Sequence, residues 1–181
     1  SQALALAEKY HEKTAVIRAF ELAWTRSQVE EGYLNLKPEE AEVFQEMISR
    51  IIFLNSQRKR YREMLQKNSK GQPGLWAYGI SGDFPIVLLS VKTTDEIGLV
   101  KSCLKAHEYW RFKGFRVDLV IFNEDETSYL QPVQEQIMEA IYASLAREVI
   151  NRPGGVFVIR GNTVPEEDKA LLFSAARLIL R

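Results

Sequence analysis

The chain has 181 residues, 24 Lys plus Arg against 24 Asp plus Glu, 46% hydrophobic residues and one cysteine. That length suits one ordinary domain with a helical appendage, and the apolar fraction is enough for a core. A formal charge of zero removes the summed field that would draw nucleic acid or an anionic membrane, so neither is an expected partner. Lone Cys103 excludes an internal disulfide and a multi-cysteine metal site, and reads as a small buried thiol. No apolar run reaches the roughly 20 residues of a spanning helix and no basic-then-apolar leader is present, so a soluble stretch without membrane insertion of its own is expected.

Residues 1–10 read as a short helical lead-in, and the abrupt start on ALALAEKY reads as a cut from something longer. Over 14–33, Ile17, Phe20, Trp24 and Ser27 or Gln28 recur at three-to-four spacing, which predicts one amphipathic helix stopped near Gly32. Pro38 then stands where a first helical residue belongs, and Glu39, Glu40 and Glu42 place negative charge at the positive end of the helix dipole. Ala41, Phe44, Ile48, Ile51 and Ile52 trace a single apolar stripe, and the two helices are expected to pair as a hairpin. A third helix over 57–67 carries Arg58, Lys59, Arg60, Arg62 and Lys67, either a solvated face or a patch for phosphate or an acidic partner surface. With almost no interleaved aromatics it does not suggest nucleic acid. The turn-rich NSKGQPG at 68–74 is the clearest boundary, giving a helical segment 1–70 and an α/β domain 71–181.

Beyond that boundary the pattern alternates. The runs 86–91 (IVLLSV), 117–122 (VDLVIF) and 156–159 (VFVI) are short, apolar and rich in β-branched residues, as strands covered on both faces should be. Helical segments at 95–112 and 129–150 separate them. Thr93 with Glu96, Ser128 with Gln131, and Thr163 with Glu166 have the spacing of a capping box, in which two side chains satisfy orphaned backbone donors at a helix start. After Ser128, the residues Leu130, Val133, Ile137, Ala140, Ile141 and Leu145 share one face, and Pro132 falls in the first turn. Strand-helix-strand units imply parallel strands joined by right-handed crossovers. The expected fold is therefore α/β: an N-terminal helical hairpin region followed by a small three-layer unit with three parallel strands, in the sequence β-α-β-α-β-α. The expected order is 2-1-3, with IVLLSV central and VFVI at an edge.

In an open parallel sheet, ligands bind beyond the carboxyl ends of the strands. Thr94, Asn123, Glu124 and Asn162 lie there and are the candidate strand-end ligand site. No glycine-rich turn follows the first strand and no P-loop occurs, so a nucleotide is not indicated. Glu124, Asp125 and Glu126 with Asn123 form a carboxylate cluster that suits a divalent cation, but acidic loops ahead of helices also arise simply to complement the dipole. No metal or cofactor is assigned. His107-Glu108 lacks the second histidine of a zinc helix, and His107 shares a face with Val100 and Leu104, as a packed histidine does. A Cys103-His107 pair lacks a third, orienting group. GISGD at 79–83 resembles a nucleophile elbow but precedes a strand where the elbow must follow one, so no catalytic residue is assigned.

The segment 75–87, LWAYGISGDFPIV, is the most unusual. Its glycines and Asp-Phe-Pro imply a tightly fixed loop, with Trp76, Tyr78, Ser81 and Asp83 as candidate interaction or sugar contacts. The alternative is a buried aromatic anchor joining the helical and α/β parts. Entering the amino end of a strand, this loop cannot share the strand-end site.

Five long strings, AFELAWTRSQVE (19–30), GLWAYGISGDFPIVLLSV (74–91), AHEYWRFKGFRVDLVIFNE (106–124), SYLQPVQEQI (128–137) and PEEDKALLFSAARLIL (165–180), occur in order across nearly the whole chain. Together they resemble the cyclic β-1,2-glucan synthetase family. That resemblance implies a very large parent with a glycosyltransferase part in the bacterial inner membrane and a soluble cellobiose-phosphorylase-like part, with this chain a segment between sandwich modules on the cytoplasmic side. It implies neighbouring modules of the same polypeptide as partners, β-1,2-glucan as a candidate ligand, and no catalytic residue, since the matching strings are not the family's catalytic motifs. The expected function is a non-catalytic structural or carbohydrate-associated module. The alternative is a small α/β enzyme or ligand-binding domain using the carboxyl ends of the strands.

Overall fold

The computed structural model describes residues 2–53, 61–125 and 131–181, the side chain of Met64 excepted. Two compact units make up the chain, Ser1–Ala41 and Glu42–Arg181. The boundary expected at 70/71 lies inside the second.

The first unit contains α1 (Gln2–Lys9) and α2 (Lys13–Tyr33). Ile17, Phe20 and Trp24 are 47%, 74% and 69% exposed, so the expected stripe of α2 faces solvent in this chain. Glu30 is the buried position of α2, held by Arg26 through an ion pair of 2.7 Å. Helix α3 (Pro38–Ile52) starts on Pro38, as expected, with Glu40 accepting from the Lys37 backbone N–H at 2.9 Å. Ala41, Phe44 and Ile51 are buried while Ile52 is exposed, so the apolar stripe ends one position early.

In the second unit the Trp110 indole N–H donates to the Phe44 carbonyl at 2.8 Å, giving a fully buried polar tip its partner. Of the helix expected over 57–67, the described part is α4 (Arg62–Gln66); Arg58, Lys59 and Arg60 lie outside the described residues.

Four parallel strands form the sheet: β1 (Ile86–Val91), β2 (Asp118–Asn123), β3 (Val156–Arg160) and β4 (Ala176–Leu180), in the order β3-β2-β1-β4. The expected three strands and the order 2-1-3 are thus corrected. VFVI is an edge strand and IVLLSV is interior, but β3 pairs with β2, and β4 takes the other side of β1. The fourth strand escapes a pattern reading because it follows α7 (Glu166–Ala175) with no Gly or Pro between, the chain turning to extended at Ala176 (φ −64°, ψ 132°). Buried Ala176 and Leu178 flank exposed Arg177, which is the period of a strand. Every residue of β1 is buried, and β4 pairs backbone groups on its second side that would otherwise be orphaned.

Alternate residues explain the layers. Ile86, Leu88, Val120, Phe122, Phe157 and Ile159 pack with Leu171, Leu172 and Phe173 of α7 on one face. The intervening Val87, Leu89, Leu119 and Ile121 are equally buried, beneath α5 (Ile97–Phe112) and α6 (Pro132–Tyr142), which pack on each other. The fold is α/β with three layers.

Two helix starts depart from expectation. Thr93 and Glu96 do form the capping box, at the 3-10 turn Thr94–Glu96 that leads into α5. Thr163 instead donates its hydroxyl to the Arg160 carbonyl at 2.9 Å, and α7 begins after Pro165, which separates Thr163 from the helix. Ser128 and Leu130 lie outside the described residues; Gln131 is itself the N-cap of α6, at φ 42°. Helix α6 stops at Tyr142 rather than near 150. There Ser144 donates to the Ile141 carbonyl at 2.8 Å and accepts from the Ala146 N–H at 3.2 Å, diverting backbone groups that a continuing helix needs. Val133, Ile137, Ala140 and Ile141 form its buried face. Among the described residues no helix is long and apolar enough to cross a membrane.

Candidate functional site

The chain adds β2 and then β3 on one side of β1, and returns to place β4 on the other. This reversal creates a topological switch point between the carboxyl ends of β1 and β4, where open α/β sheets place their ligand crevice. Three strand ends meet there: Ser90 and Lys92 from β1, Glu124 just after β2, and Arg181 just after β4.

Glu124 is the centre of the cluster. Its backbone N–H continues the ladder to the Val91 carbonyl at 2.7 Å. Its Oε1 accepts a hydrogen bond from the Ser90 hydroxyl and is approached by Arg181 Nη2 at 3.4 Å, while Oε2 pairs with Lys92 Nζ at 3.2 Å. Burial raises the Glu124 pKa, but the Ser90 hydroxyl, Lys92 and Arg181 together outweigh it and hold the group below its usual value. The Arg181 guanidinium lies over the rings of Tyr61 and Phe173, 5.4 and 5.5 Å from their centroids. A carboxylate with both oxygens engaged by cations and a hydroxyl ties three strand ends together; it is poorly suited to taking a proton.

The other strand-end candidates are distributed differently. Asn123 donates to Gln134 Oε1 at 3.1 Å and accepts from the Asp125 N–H at 2.9 Å, so it braces the start of the next loop. Thr94 and Asn162 are exposed on separate 3-10 turns. Gly161 packs closely on the end of β2: a Cβ there would meet the Asn123 carbonyl oxygen at 2.9 Å. Glu126 lies outside the described residues. Ser90 and Arg181 were missed by sequence reasoning. A serine inside an otherwise apolar strand was the available signal for the first; the second depends on β4.

The loop at the amino end of β1 does not gather its four candidates into one site. Trp76 is 62% exposed, and its indole N–H donates to the Ser81 carbonyl at 3.3 Å, which also accepts from Gln72 Nε2 at 2.8 Å. The Ser81 hydroxyl accepts from the Asp83 N–H at 3.2 Å, closing the turn. Gly79 at the end of the 3-10 turn Gln72–Tyr78 takes φ 73°, where a side chain would be strained. The Tyr78 hydroxyl turns away and donates to Asp168 Oδ2 at 2.8 Å, and Lys70 Nζ holds Oδ1 at 2.6 Å. Burial, reinforced by that carboxylate, pushes the Tyr78 hydroxyl up to about 12. Asp83 lines a separate cavity of about 400 Å³ with Lys70, Gln72, Leu171 and Arg177.

Cys103 and His107 are buried in α5. Burial pushes the Cys103 thiol up to about 12 and the His107 imidazole down to about 4, so neither ionises near neutral pH. His107 Nε2 sits 3.2 Å from the Val117 carbonyl, which locks the ring as a packing group.

No protein-family model matches the chain. Over 158 residues it is 30% identical to the cyclic β-(1,2)-glucan synthase NdvB of Rhizobium meliloti (strain 1021). The chain resembles a segment of that synthase. The match covers 87% of this chain and 6% of the relative, so the chain corresponds to a small part of the synthase's length. The family resemblance read from the five residue strings therefore holds across most of the sequence.

Proposed function

We propose that this chain is a non-catalytic structural module of a cyclic β-(1,2)-glucan synthase. The observation that carries the reading is the match of 87% of the chain to 6% of that synthase. Two features of the fold support it. The polar groups at the switch point, where a ligand crevice belongs, are engaged with each other: Ser90, Lys92 and Arg181 with Glu124, and Asn123 with Gln134. Ile17, Phe20 and Trp24 line an exposed apolar face of α2, which suits packing against a neighbouring part of a longer polypeptide. In this reading the neighbouring modules are the partners, on the cytoplasmic side of an inner-membrane protein whose glucosyl transfer is done elsewhere.

Substituting Phe20→Glu and Trp24→Glu tests the packing role. In the isolated chain the pair leaves thermal stability unchanged, because both side chains are already exposed. In the full-length protein the same pair makes the surrounding region more sensitive to protease. Unchanged protease resistance of the full-length variant would remove the packing role.

A carbohydrate-associated role has one observation in its favour, the exposed Trp76 ring whose N–H is held by the Ser81 carbonyl. Calorimetric titration with β-1,2-glucan fragments decides it: heat abolished by Trp76→Ala supports a stacked sugar.

A further inference from the structure

The amino edge of the sheet carries a groove of about 430 Å³ between the end of α5 and the turn before β3. Arg111, Arg116 and Arg152 all line it. Arg111 is steered by Glu108, whose two carboxylate oxygens accept from Nη1 at 3.3 and 3.2 Å. Arg116 and Arg152 are exposed and have no carboxylate partner among the described residues. The stem of Arg116 is set by close approach: a Cβ on Gly154 would stand 3.4 Å from the Arg116 Cβ and 3.5 Å from its Cδ, and Gly154 already requires φ +73°. Phe112 and Pro153 give the groove apolar lining.

We propose that this groove binds a small oxyanion of the phosphate class, free phosphate or a phosphate ester, through Arg111, Arg116 and Arg152. Three arginines line one concave volume, and a compact dianion held there would meet positive charge from each of them. The planar fork of a guanidinium matches two oxygens of a tetrahedral oxyanion, which a lysine ammonium does not. Glu108 lines the same groove but is engaged by Arg111, Glu148 acts electrostatically on Glu108, and the three arginines outnumber these two carboxylates. An ester would place its organic body on Phe112 and Pro153. The site is remote from the Glu124 cluster, at the opposite ends of the strands.

Titration calorimetry of the whole chain at constant ionic strength tests the proposal, with inorganic phosphate and phenyl phosphate as probes and glucose as the uncharged comparison. Saturable one-to-one binding of phosphate with Kd in about the millimolar range or tighter is expected, with no heat from glucose. The double variant Arg116→Gln, Arg152→Gln should weaken it at least about tenfold, the effect of losing charge-assisted hydrogen bonds. Its melting temperature should not change, since both residues are exposed. Arg177→Gln, at a separate cavity of the amino edge, should leave binding as it is. Phenyl phosphate binding more tightly than phosphate assigns an ester, and equal affinity assigns the free ion. Absence of saturable binding by both probes, or equal affinity in the double variant, overturns the site.

Discussion

Asp118 and Glu124 stand at opposite ends of one strand, and their surroundings push their acidities in opposite directions. Asp118, at the amino end of β2, is fully buried and accepts the Gly154 N–H at 2.6 Å through Oδ1; among the described residues its Oδ2 has no partner. Burial, with some repulsion from Asp83, raises its pKa to about 6 against the help of that one hydrogen bond. Glu124 at the carboxyl end is partly buried too, but a hydroxyl and two cations surround it and its pKa falls. Burial disfavours both charges; what differs is the number of partners the fold brings. At the carboxyl edge, where a parallel sheet usually offers a ligand site, Glu124, Lys92 and Arg181 satisfy each other's charge. Among the described residues, the amino edge keeps an under-satisfied carboxylate and two arginines without a carboxylate partner.

The harshest way to break that contrast is to dismantle the turn that brings Gly154 to Asp118. A Cβ on Gly155 would lie 2.0 Å from the Val149 carbonyl oxygen and 2.7 Å from that of Arg152, both backbone atoms that cannot rotate away. Gly155→Ala should therefore destabilise the fold by about 3 kcal/mol or more, comparable to severe core overpacking. Urea unfolding measures it, and a loss below about 1 kcal/mol would mean the turn is not a rigid support of the amino edge.

The Asp118 side of the comparison has a definite sign with pH. The folded protein keeps this proton until about pH 6, whereas an aspartate in the unfolded chain has its ordinary value of 3.8. Its contribution to stability is thus complete below 3.8, is lost as pH rises through the window up to about 6, and stays lost above it. Asp118→Asn keeps an oxygen for the Gly154 N–H and removes the charge. Relative to the unsubstituted chain, the variant should gain about 3 kcal/mol between pH 3.5 and pH 7. Parallel unfolding curves at the two pH values check it; a gap independent of pH would show that the carboxylate is not strained by burial.

Glu124→Gln should act the other way and more weakly. It removes a charge-assisted hydrogen bond and two ion pairs, for a loss of about 1–2 kcal/mol at pH 7. Because the folded pKa is depressed, the carboxylate's contribution is present above the unfolded value of about 4.5 and disappears as pH falls through the folded one. The penalty of the variant should accordingly shrink in acid. A penalty that grew on acidification would reverse the assigned sign.

How much of this was legible in the sequence follows from the range of each interaction. Strands β1 to β3, helix α3 and the Thr93-Glu96 cap rest on residues within a few positions of one another, and local spacing revealed them. Strand β4 has no turn residue to announce it, and without it neither the switch point nor Arg181's place beside Glu124 can be drawn. Tyr78 illustrates the same limit: its partner Asp168 lies in α7, far along the chain, so the aromatic loop could not be seen to split into an exposed Trp76 and a committed Tyr78. Asp118 was visible as a charged residue within VDLVIF, and a charge inside an otherwise buried strand is a signal of its own. The α2 stripe was found by periodicity, but periodicity does not say what covers it.

In the proposed reading the carboxyl edge of this sheet ties strand ends together and takes no part in the synthase's chemistry. Glu124→Gln in the full-length protein tests this, read as glucan formed per folded molecule. Output should stay within about twofold of the unsubstituted protein once the folded fraction is counted, since a tie between strand ends acts only through folding. A loss of about a hundredfold or more with the fold intact, the size expected when a proton-transfer group is removed, would contradict it.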